Sequence, residues 1–312
     1  MAYGSGMPVD YEIAVAGGGP AGLTAALFAA RHGRSTIVLD PLGMGGAILN
    51  TERIEDLPGF PEGVAGFEFG PRMQEQAASA GATIEPAEVT RLEQRGGDWC
   101  LSTDSRELVA GAVIVATGSR PRTLGLPRED ELEGKGVSHC ASCDGPLFRG
   151  QAVAMVGGGD SALLETIELG GHDVRVVLVD EGEAFSGQET YARRVLESAH
   201  VEVRHGAVVE EILGGERVEG IRVRDLATGE SSTLPVAAVF VHVGRVPNTA
   251  LLEGVVALDE SGRVATDAWM RTELPGLFAA GDIRSDSSGQ AVSAAGDGAT
   301  AAVAAHRYLA GR

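Results

Sequence analysis

Two glycine-rich turns of the same type, beginning at Gly17 and Gly157, constrain the fold of this 312-residue chain more than any other feature. Each turn follows a short apolar run and precedes a helical pattern and a second apolar run. This is the strand–turn–helix–strand unit that carries the G-x-G-x-x-G/A pattern. Because the unit occurs twice, the sequence predicts an α/β fold with two Rossmann-like dinucleotide-binding domains.

The first turn predicts a pyrophosphate site at the start of a helix. Gly17 permits the tight turn, Gly19 lets the backbone approach a pyrophosphate, and Gly22 lets the helix pack on the sheet. Asp40 follows the second strand about 20 residues on, where an acid accepts hydrogen bonds from ribose hydroxyls. The residues predicted to bind a dinucleotide here are Gly17, Gly19, Pro20, Ala21 and Asp40.

The segment after the second strand favours a larger dinucleotide, such as FAD. Residues 41–72 are rich in glycine and proline, whereas a nicotinamide-only domain continues with a third strand. A long excursion favours a larger ligand that lies extended across the domain. Two further strand-plus-turn segments, 112–118 and 277–282, end in small residues. The aspartate of the second segment, Asp282, can bind a ribityl hydroxyl. The residues of these segments predicted to line the site are Gly45, Gly46, Ala47, Ala116, Thr117, Gly118, Gly281 and Asp282.

The order of the two modules predicts one domain interrupted by another. Residues 1–117 and 247–312 are expected to form a discontinuous FAD-binding domain, with a nicotinamide-type domain at 118–246 inserted between its halves. The connectors 118–121 and 244–247 contain glycine and suit hinges. Within the inserted domain, residues 216–234 alternate in polarity around Thr228-Gly229, which predicts a β-hairpin.

Composition argues against several kinds of partner and compartment. The chain has 25 basic and 44 acidic residues and a net charge of −19, which argues against nucleic acid and anionic membranes as partners. No apolar run approaches the ~20 residues that span a bilayer. The first ten residues lack the basic and apolar regions of a signal peptide and are expected to form a loose leader. Three cysteines do not make a secreted disulfide framework, so a reducing cytoplasm is predicted.

The pair Cys140 and Cys143, followed by Asp144, is either half of a metal site or a redox dithiol. A zinc site needs about four ligands, and no second Cys-x-x-Cys or His-x-x-x-His completes one, so no metal is predicted. A thiolate near a helix start is stabilised by unpaired N–H groups, and Asp144 can carry the proton that thiol exchange requires. The flanking His139 is more typical of a turn residue than of a functional one. Cys100 is expected to be a small buried hydrophobe.

In this order and spacing, these motifs resemble the low-molecular-weight thioredoxin reductases, which are flavoproteins with two dinucleotide-binding domains. The resemblance spans nearly the whole chain and rests on both glycine turns, the Cys-x-x-Cys-Asp-Gly segment, and the segments 57–59, 116–118, 244–249, 279–282 and 290–291. It implies three-layer domains of the FAD/NAD(P)-binding fold, and bound FAD that is also contacted by Asp56, Val89, Gln290, Ala291 and Val292. It further implies a homodimer built through the flavin domain, and a thioredoxin-like protein or a small-molecule dithiol or disulfide as partner. It also implies that Cys143 faces the flavin, Cys140 exchanges with the partner disulfide, and Asp144 is the acid/base.

The chain departs from that family where the NADPH-dependent members bind the 2′-phosphate. Those members have His-Arg-Arg after the second strand of the inserted domain, because planar forked donors suit a phosphate. Here Asp180-Glu181-Gly182 occupy these positions, and Ser186-Gly187 replace a later Arg-Ala. Carboxylates at this point disfavour NADPH. The pyrophosphate turn itself is kept by Gly157, Gly159 and Ala162, so Asp180 or Glu181 could bind the ribose diol of NADH. The residues of this turn predicted to bind the cofactor are Gly157, Gly159, Asp160 and Ser161. The alternative is a domain that binds no nicotinamide.

Three functions are compatible with these residues. The first is a disulfide reductase that receives electrons from NADH or another donor that is not NADPH. The second is a flavin-dependent dithiol oxidase of the same fold, which closes a disulfide in a small molecule and passes electrons to oxygen; the missing arginines favour it. The third is a redox-sensing or binding module, which the intact Cys-x-x-Cys-Asp motif disfavours. Asp144, in place of the histidine common in such oxidases, favours the reductase.

Overall fold

The computed structural model describes residues 9–312, so most of the expected leader lies outside the described residues. The helices are α1 (Pro20–Arg31), α2 (Gly66–Ser79), α3 (Ala141–Asp144), α4 (Asp160–Gly171), α5 (Glu189–Leu196) and α6 (Ala291–Ala310). The strands are β1 (Tyr11–Ala16), β2 (Thr36–Leu39), β3 (Thr83–Glu85), β4 (Val89–Arg95), β5 (Asp98–Thr103), β6 (Glu107–Val115), β7 (Ser119–Pro121), β8 (Val137–Ser138), β9 (Ala152–Val156), β10 (Arg175–Val179), β11 (Val201–Arg204), β12 (Ala207–Gly214), β13 (Val218–Asp225), β14 (Ser231–Leu234), β15 (Val239–Val241), β16 (Arg245–Pro247) and β17 (Leu277–Ala279).

The chain forms two compact units. One unit runs to Arg120 and resumes at Val246–Arg312, and the other is Pro121–Arg245. The short strands β7 and β16 pair where the chain passes from one unit to the other. The second unit is therefore continuous in sequence, whereas the first is assembled from two separate stretches of the chain.

The first unit is built on a sheet with the strand order β3-β2-β1-β6-β5-β4. One end of β6 pairs antiparallel with β5, and its other end pairs parallel with β17. Successive side chains of a strand point to opposite faces. Ile13 and Val15 therefore share an apolar core with residues of α1 and α6, whereas Ala14 shares the opposite core with Trp99 of β5 and Leu92 of β4. The helices, the parallel strands and the antiparallel strands therefore form three layers, with one apolar core on each face of the parallel strands.

The second unit repeats this arrangement with a parallel sheet in the order β11-β10-β9-β15-β8. Met155 and Leu178 pack against α4 and α5 on one face. Ala154 and Val156 pack on the other face against the antiparallel strands β12, β13 and β14. The predicted α/β class with three-layer domains is confirmed. The predicted hairpin is also confirmed, because β13 and β14 pair antiparallel across the turn at Thr228-Gly229.

Two local predictions for the first unit, the long excursion after β2 and the burial of Cys100, are confirmed. After β2 the chain forms a 3₁₀ segment at Gly46–Asn50 and then α2, and the third strand, β3, begins only at Thr83. The Gly/Pro-rich stretch indicated such a long excursion before the next strand. Cys100 lies on β5 and is only 6% exposed. Among the described residues, no helix combines the length and apolar character needed to cross a bilayer.

Candidate functional site

The first glycine turn forms an open cradle at the start of α1. Gly17 has φ +109°, and a Cβ there would lie 2.2 Å from the Ala116 carbonyl oxygen, so only glycine fits. A Cβ on Gly19 would meet nothing nearer than the Gly46 Cα at 4.0 Å. No side chain caps the first N–H groups of α1, which begins with Pro20 and Ala21. An uncapped helix start beside an open glycine fits the pyrophosphate of a dinucleotide.

Asp40 holds this turn in place. Its Oδ2 accepts a hydrogen bond from the Gly18 N–H at 2.7 Å, and its Oδ1 accepts one from the Leu42 N–H at 2.9 Å. The Gly45 N–H donates to the Gly18 carbonyl oxygen at 2.8 Å. Asp40 therefore fixes the backbone of the cradle, a role that the sequence did not reveal. Its contact with a ribose stays a prediction.

The Gly281-Asp282 turn is fixed by a buried carboxylate on α6. Asp297, 7% exposed, accepts the Gly281 N–H at 3.1 Å and binds the Arg284 guanidinium at 2.5 and 3.1 Å. Asp282 itself accepts a hydrogen bond from the Ser119 hydroxyl at 2.7 Å. Sequence reasoning missed Asp297. An acid inside an alanine- and glycine-rich helix is the signal that could have found it.

The loop that follows Asp282 is anchored on its far side by Asp259. The Ser261 and Ser285 hydroxyls donate to this carboxylate at 2.6 and 2.7 Å. Hydrogen bonds from Ser261 and Ser285, together with one from the Arg263 N–H, hold the pKa of Asp259 well below its ordinary value. The carboxylate therefore stays ionised, and keeps the loop anchored, across the neutral range.

The predicted flavin residues are brought together only in part. Gly46 lies against Gly19, Ala116 against Gly17, and Gly281 against Ala21, where a Cβ on Gly281 would lie 3.1 Å from the Ala21 Cβ. Thr117 donates to the Asn248 carbonyl at 2.6 Å, and the Asn248 amide returns a hydrogen bond to the Thr117 carbonyl at 2.9 Å. Gly45 also reaches the first turn, through the hydrogen bond from its N–H to the Gly18 carbonyl oxygen. The others lie on separate elements: Ala47 within the 3₁₀ segment, Asp56 exposed before α2, Val89 at the start of β4, Gly118 before β7, and Gln290, Ala291 and Val292 at the start of α6.

Substitution of Gly22 tests how closely α1 packs against the first turn. A Cβ on Gly22 would lie 1.8 Å from the Gly17 carbonyl oxygen, so Gly22→Ala must displace the helix from the turn. We expect the free energy of unfolding to fall by about 3 kcal/mol. We also expect the ratio of flavin to protein absorbance to drop after purification.

Gly296→Ala is the matched control for Gly22→Ala. Gly296 lies within α6 and has open space around its Cα, so the added methyl group should raise stability by about 0.5–1 kcal/mol. Urea unfolding of both variants measures the difference. Equal stability and equal flavin content in the two would contradict this account of the cradle.

The second unit carries the cysteines at the start of the short helix α3. Cys140 and Cys143 are joined by a disulfide, as expected of a redox pair. Cys140 precedes the helix, and its Sγ accepts the Cys143 N–H at 3.3 Å. Cys143 is exposed, and Cys140 and Asp144 are half-buried. A sulfur that accepts a helix N–H is placed where a thiolate would be stabilised.

His139 is held by backbone and not by the cysteines. Its Nδ1 lies 2.9 Å from the Val241 carbonyl oxygen, and its Nε2 lies 3.7 Å from a Glu133 carboxylate oxygen. A second acid, Glu165 of α4, accepts the Ala141 N–H at 2.8 Å and lies at the start of the redox helix. The sequence did not single out Glu165, because nothing local distinguishes it from other acids on α4.

The second glycine turn keeps the geometry of the first. Gly157 has φ +128°, and a Cβ there would lie 2.2 Å from the His242 carbonyl oxygen. A Cβ on Gly159 would meet only the Ser186 hydroxyl, at 3.9 Å, and no side chain caps the start of α4. Asp160 begins the helix, and its carboxylate accepts the Gln188 N–H at 2.7 Å, which turns it toward the following loop. Ser161, next on α4, is exposed.

Asp180 lies beside this turn as Asp40 lies beside the first, but it is bonded differently. A Cβ on Gly158 would come within 2.4 Å of its Oδ2, and the side chain is 9% exposed. Oδ2 lies 3.3 Å from the His205 Nδ1, yet neither atom takes part in an aligned hydrogen bond. Glu181 is exposed. A buried carboxylate oxygen without a donor, next to a nucleotide-type turn, can accept from a ligand hydroxyl.

Comparisons with known proteins agree with this arrangement. The chain matches the family described as pyridine nucleotide-disulphide oxidoreductase over residues 11–298. It is 38% identical to the thioredoxin reductase of Treponema pallidum (strain Nichols) over 97% of this chain and 98% of that protein. It is 37% identical to NADPH-dependent thioredoxin reductase 3 of Arabidopsis thaliana over 98% of this chain and 59% of that protein. The crystal structure of Lactococcus lactis thioredoxin reductase superposes with a TM-score of 0.94 at 33% identity, over 97% of this chain and all of that one. These matches confirm the resemblance that the motifs indicated.

Proposed function

Because the chain belongs to the pyridine nucleotide-disulphide oxidoreductase family and is an FAD-dependent disulfide oxidoreductase, we propose that it takes electrons from NADH. By way of FAD, which the first unit would hold, the electrons would reach the Cys140–Cys143 disulfide, and the resulting dithiol would reduce a thioredoxin-like protein or a low-molecular-weight disulfide. The observation that carries the choice of donor is the buried carboxylate of Asp180, whose Oδ2 makes no aligned hydrogen bond although the His205 Nδ1 lies 3.3 Å away. The names of the relatives support thioredoxin as the type of partner.

The first unit holds the FAD in this proposal. FAD, when bound, supplies the two-electron chemistry that links a hydride donor to a disulfide. The uncapped start of α1 and the open Gly19 receive the pyrophosphate. Asp40 keeps the cradle in shape, and Asp297 with Arg284 keeps the Gly281-Asp282 turn in place. These side chains act by orienting the backbone of the cradle and of the Gly281-Asp282 turn, and by excluding other positions of these loops.

The second unit carries out the thiol exchange. Two electrons and two protons open the Cys140–Cys143 bond and give two thiols. The Cys143 N–H stabilises negative charge on the Cys140 Sγ, so Cys140 attacks the partner disulfide and releases one partner thiol. Cys143 then attacks the Cys140 sulfur, releases the second partner thiol and restores the internal disulfide. Asp144, the last residue of α3, protonates the departing thiolate.

The donor site explains why NADH is preferred in this proposal. The two hydroxyls of one ribose of NADH can donate to the Asp180 carboxylate. They would supply the hydrogen bonds that its buried oxygen lacks in the protein alone. The 2′-phosphate of NADPH carries up to two negative charges and would meet Asp180 and the exposed Glu181 instead of arginines. NADPH dependence, as in the name of the Arabidopsis protein, belongs to that protein.

Anaerobic titration of the purified flavoprotein tests the donor. NADH at micromolar concentration is expected to bleach the flavin absorbance near 450 nm, and NADPH is expected to need about 50-fold more for the same rate, because the carboxylates disfavour its phosphate. Equal or faster bleaching by NADPH would contradict the proposal. Bleaching by dithiothreitol alone, followed by reoxidation in air, would favour the dithiol oxidase instead.

The homodimer and the cytoplasmic location belong to the same proposal. The homodimer is carried over from the family resemblance, and the reducing compartment from the low cysteine count. Sedimentation of the flavoprotein at micromolar concentration distinguishes a dimer from a monomer.

A further inference from the structure

Glu165 connects the redox helix to a buried histidine. Its Oε2 accepts the Ala141 N–H at 2.8 Å, and the same oxygen lies 2.8 Å from the His242 Nε2. The Glu165 and His242 side chains are 20% and 10% exposed. All three residues belong to the same compact unit. A partly buried carboxylate is therefore fixed at the point where α3 begins.

This carboxylate competes with the Cys140 sulfur for the amide groups of the helix start. The Cys143 N–H is donated to the Cys140 Sγ at 3.3 Å, whereas the Ala141 N–H is donated to Glu165. Unpaired N–H groups at a helix start favour a thiolate, and a nearby anion disfavours it. Glu165 thus removes one stabilising donor from the thiolate and adds a repelling charge.

His242 ties the same carboxylate to the second glycine turn. Its carbonyl oxygen faces Gly157, where a Cβ would lie 2.2 Å away, and its N–H donates to the Val156 carbonyl at 2.8 Å. The backbone on both sides of the imidazole is therefore held by β9 and the turn. The imidazole Nε2 is buried and makes no aligned hydrogen bond, so its 2.8 Å approach to Glu165 is a close polar contact of less than ideal geometry. This contact restricts the position of the carboxylate.

We propose that Glu165 is a positioning residue that lowers the reduction potential of the Cys140–Cys143 disulfide, with His242 holding it in place. Reduction breaks the Sγ–Sγ bond, consumes two electrons and two protons, and yields two thiols, of which Cys140 reacts in its ionised form, the thiolate. Glu165 destabilises that ionised form and leaves the neutral disulfide nearly unaffected, so the dithiol becomes a stronger reductant. The proposal rests on the redox role of the pair described above.

Equilibration with glutathione tests this directly in the purified flavoprotein. Two glutathione thiols supply the electrons and become glutathione disulfide, and neither a nicotinamide nor a partner protein is present. After acid quenching and alkylation, mass spectrometry of the peptide that contains both cysteines gives the fraction reduced. Glu165→Gln keeps an oxygen for the Ala141 N–H but removes the charge. We expect its equilibrium constant for reduction to rise about tenfold, which is about 30 mV for a two-electron couple.

The matched control is Glu197→Gln, which removes an exposed carboxylate at the end of α5 in the same unit and should leave the equilibrium unchanged. The alkylation rate of the reduced pair at neutral pH should rise in Glu165→Gln and not in Glu197→Gln. An equilibrium constant for Glu165→Gln within twofold of the wild-type value, or lower than it, in protein that retains its flavin would overturn the inference. Failure of NADH to reduce the wild-type flavin would overturn the proposed donor and leave this measurement intact.

Discussion

Replacing Cys143 by serine is expected to abolish disulfide reduction, with kcat for a thioredoxin-like substrate falling about a thousandfold or more, because no internal disulfide can form. Cys140→Ser should be equally inactive for the same reason. Reduction of the flavin by NADH does not need the pair, so it should proceed at the wild-type rate in both variants. Stopped-flow absorbance near 450 nm and a coupled disulfide assay measure the two steps separately.

The two variants should differ in their spectra. If Cys143 faces the flavin, Cys143→Ser lacks any long-wavelength band between a thiolate and the oxidised flavin, whereas Cys140→Ser keeps or gains one. Cys100→Ala is the control, because Cys100 is buried on β5 of the other unit, and its turnover should be unchanged. A band in Cys143→Ser and none in Cys140→Ser would reverse the assignment of the two cysteines.

Substitution of Asp180 is expected to produce the second large effect. Asp180→Ser removes the buried acceptor beside Gly158, and kcat/KM for NADH should fall about 30-fold, which corresponds to the loss of one or two hydrogen bonds to a charged group. Adding Glu181→Arg places a guanidinium at an exposed position and supplies a partner for a 2′-phosphate. The ratio of kcat/KM for NADH to that for NADPH should then shift about a thousandfold toward NADPH.

A charge change elsewhere in the same loop separates this effect from a general electrostatic one. Glu183 is exposed and lies close in sequence to Asp180, so Glu183→Gln removes one charge without touching the turn. It should alter the NADH to NADPH ratio less than threefold, because exposed charges are screened. If Asp180→Ser retained full kcat/KM for NADH, the carboxylate would not bind the ribose and the proposed donor would be wrong.

The parts of the fold that could be predicted from the sequence are those that local sequence patterns determine. Both glycine turns, the strands and helices beside them, and the hairpin at Thr228-Gly229 depend on neighbouring residues, and the structure contains them. The split of β6 between an antiparallel and a parallel partner could not be predicted, because β17 lies far along the chain and each half of β6 looks like an ordinary buried strand.

The candidate site was predictable in its residue types but not in its supporting contacts. Cys140, Cys143 and the acids after β10 are visible in the sequence because their spacing is characteristic. Contacts such as Glu165 with His242 depend on how α4 lies beside β15, and no local pattern encodes that. The missing hydrogen bond of Asp180 likewise depends on the orientation of His205, which only the folded chain defines.

The position of β17 and α6 in the chain has a consequence for synthesis on the ribosome. β6 pairs parallel with β1 and needs β17 as its second parallel neighbour, and the core beneath α1 is completed by alanines of α6, including Ala301 and Ala305. These segments leave the ribosome only after the whole of Pro121–Arg245 has emerged. The inserted unit has its own continuous sequence and its own core. It can therefore fold before β17 and α6 are available to complete the unit that the amino-terminal stretch belongs to. The amino-terminal apolar strands must therefore be kept from aggregating until β17 and α6 have been synthesised.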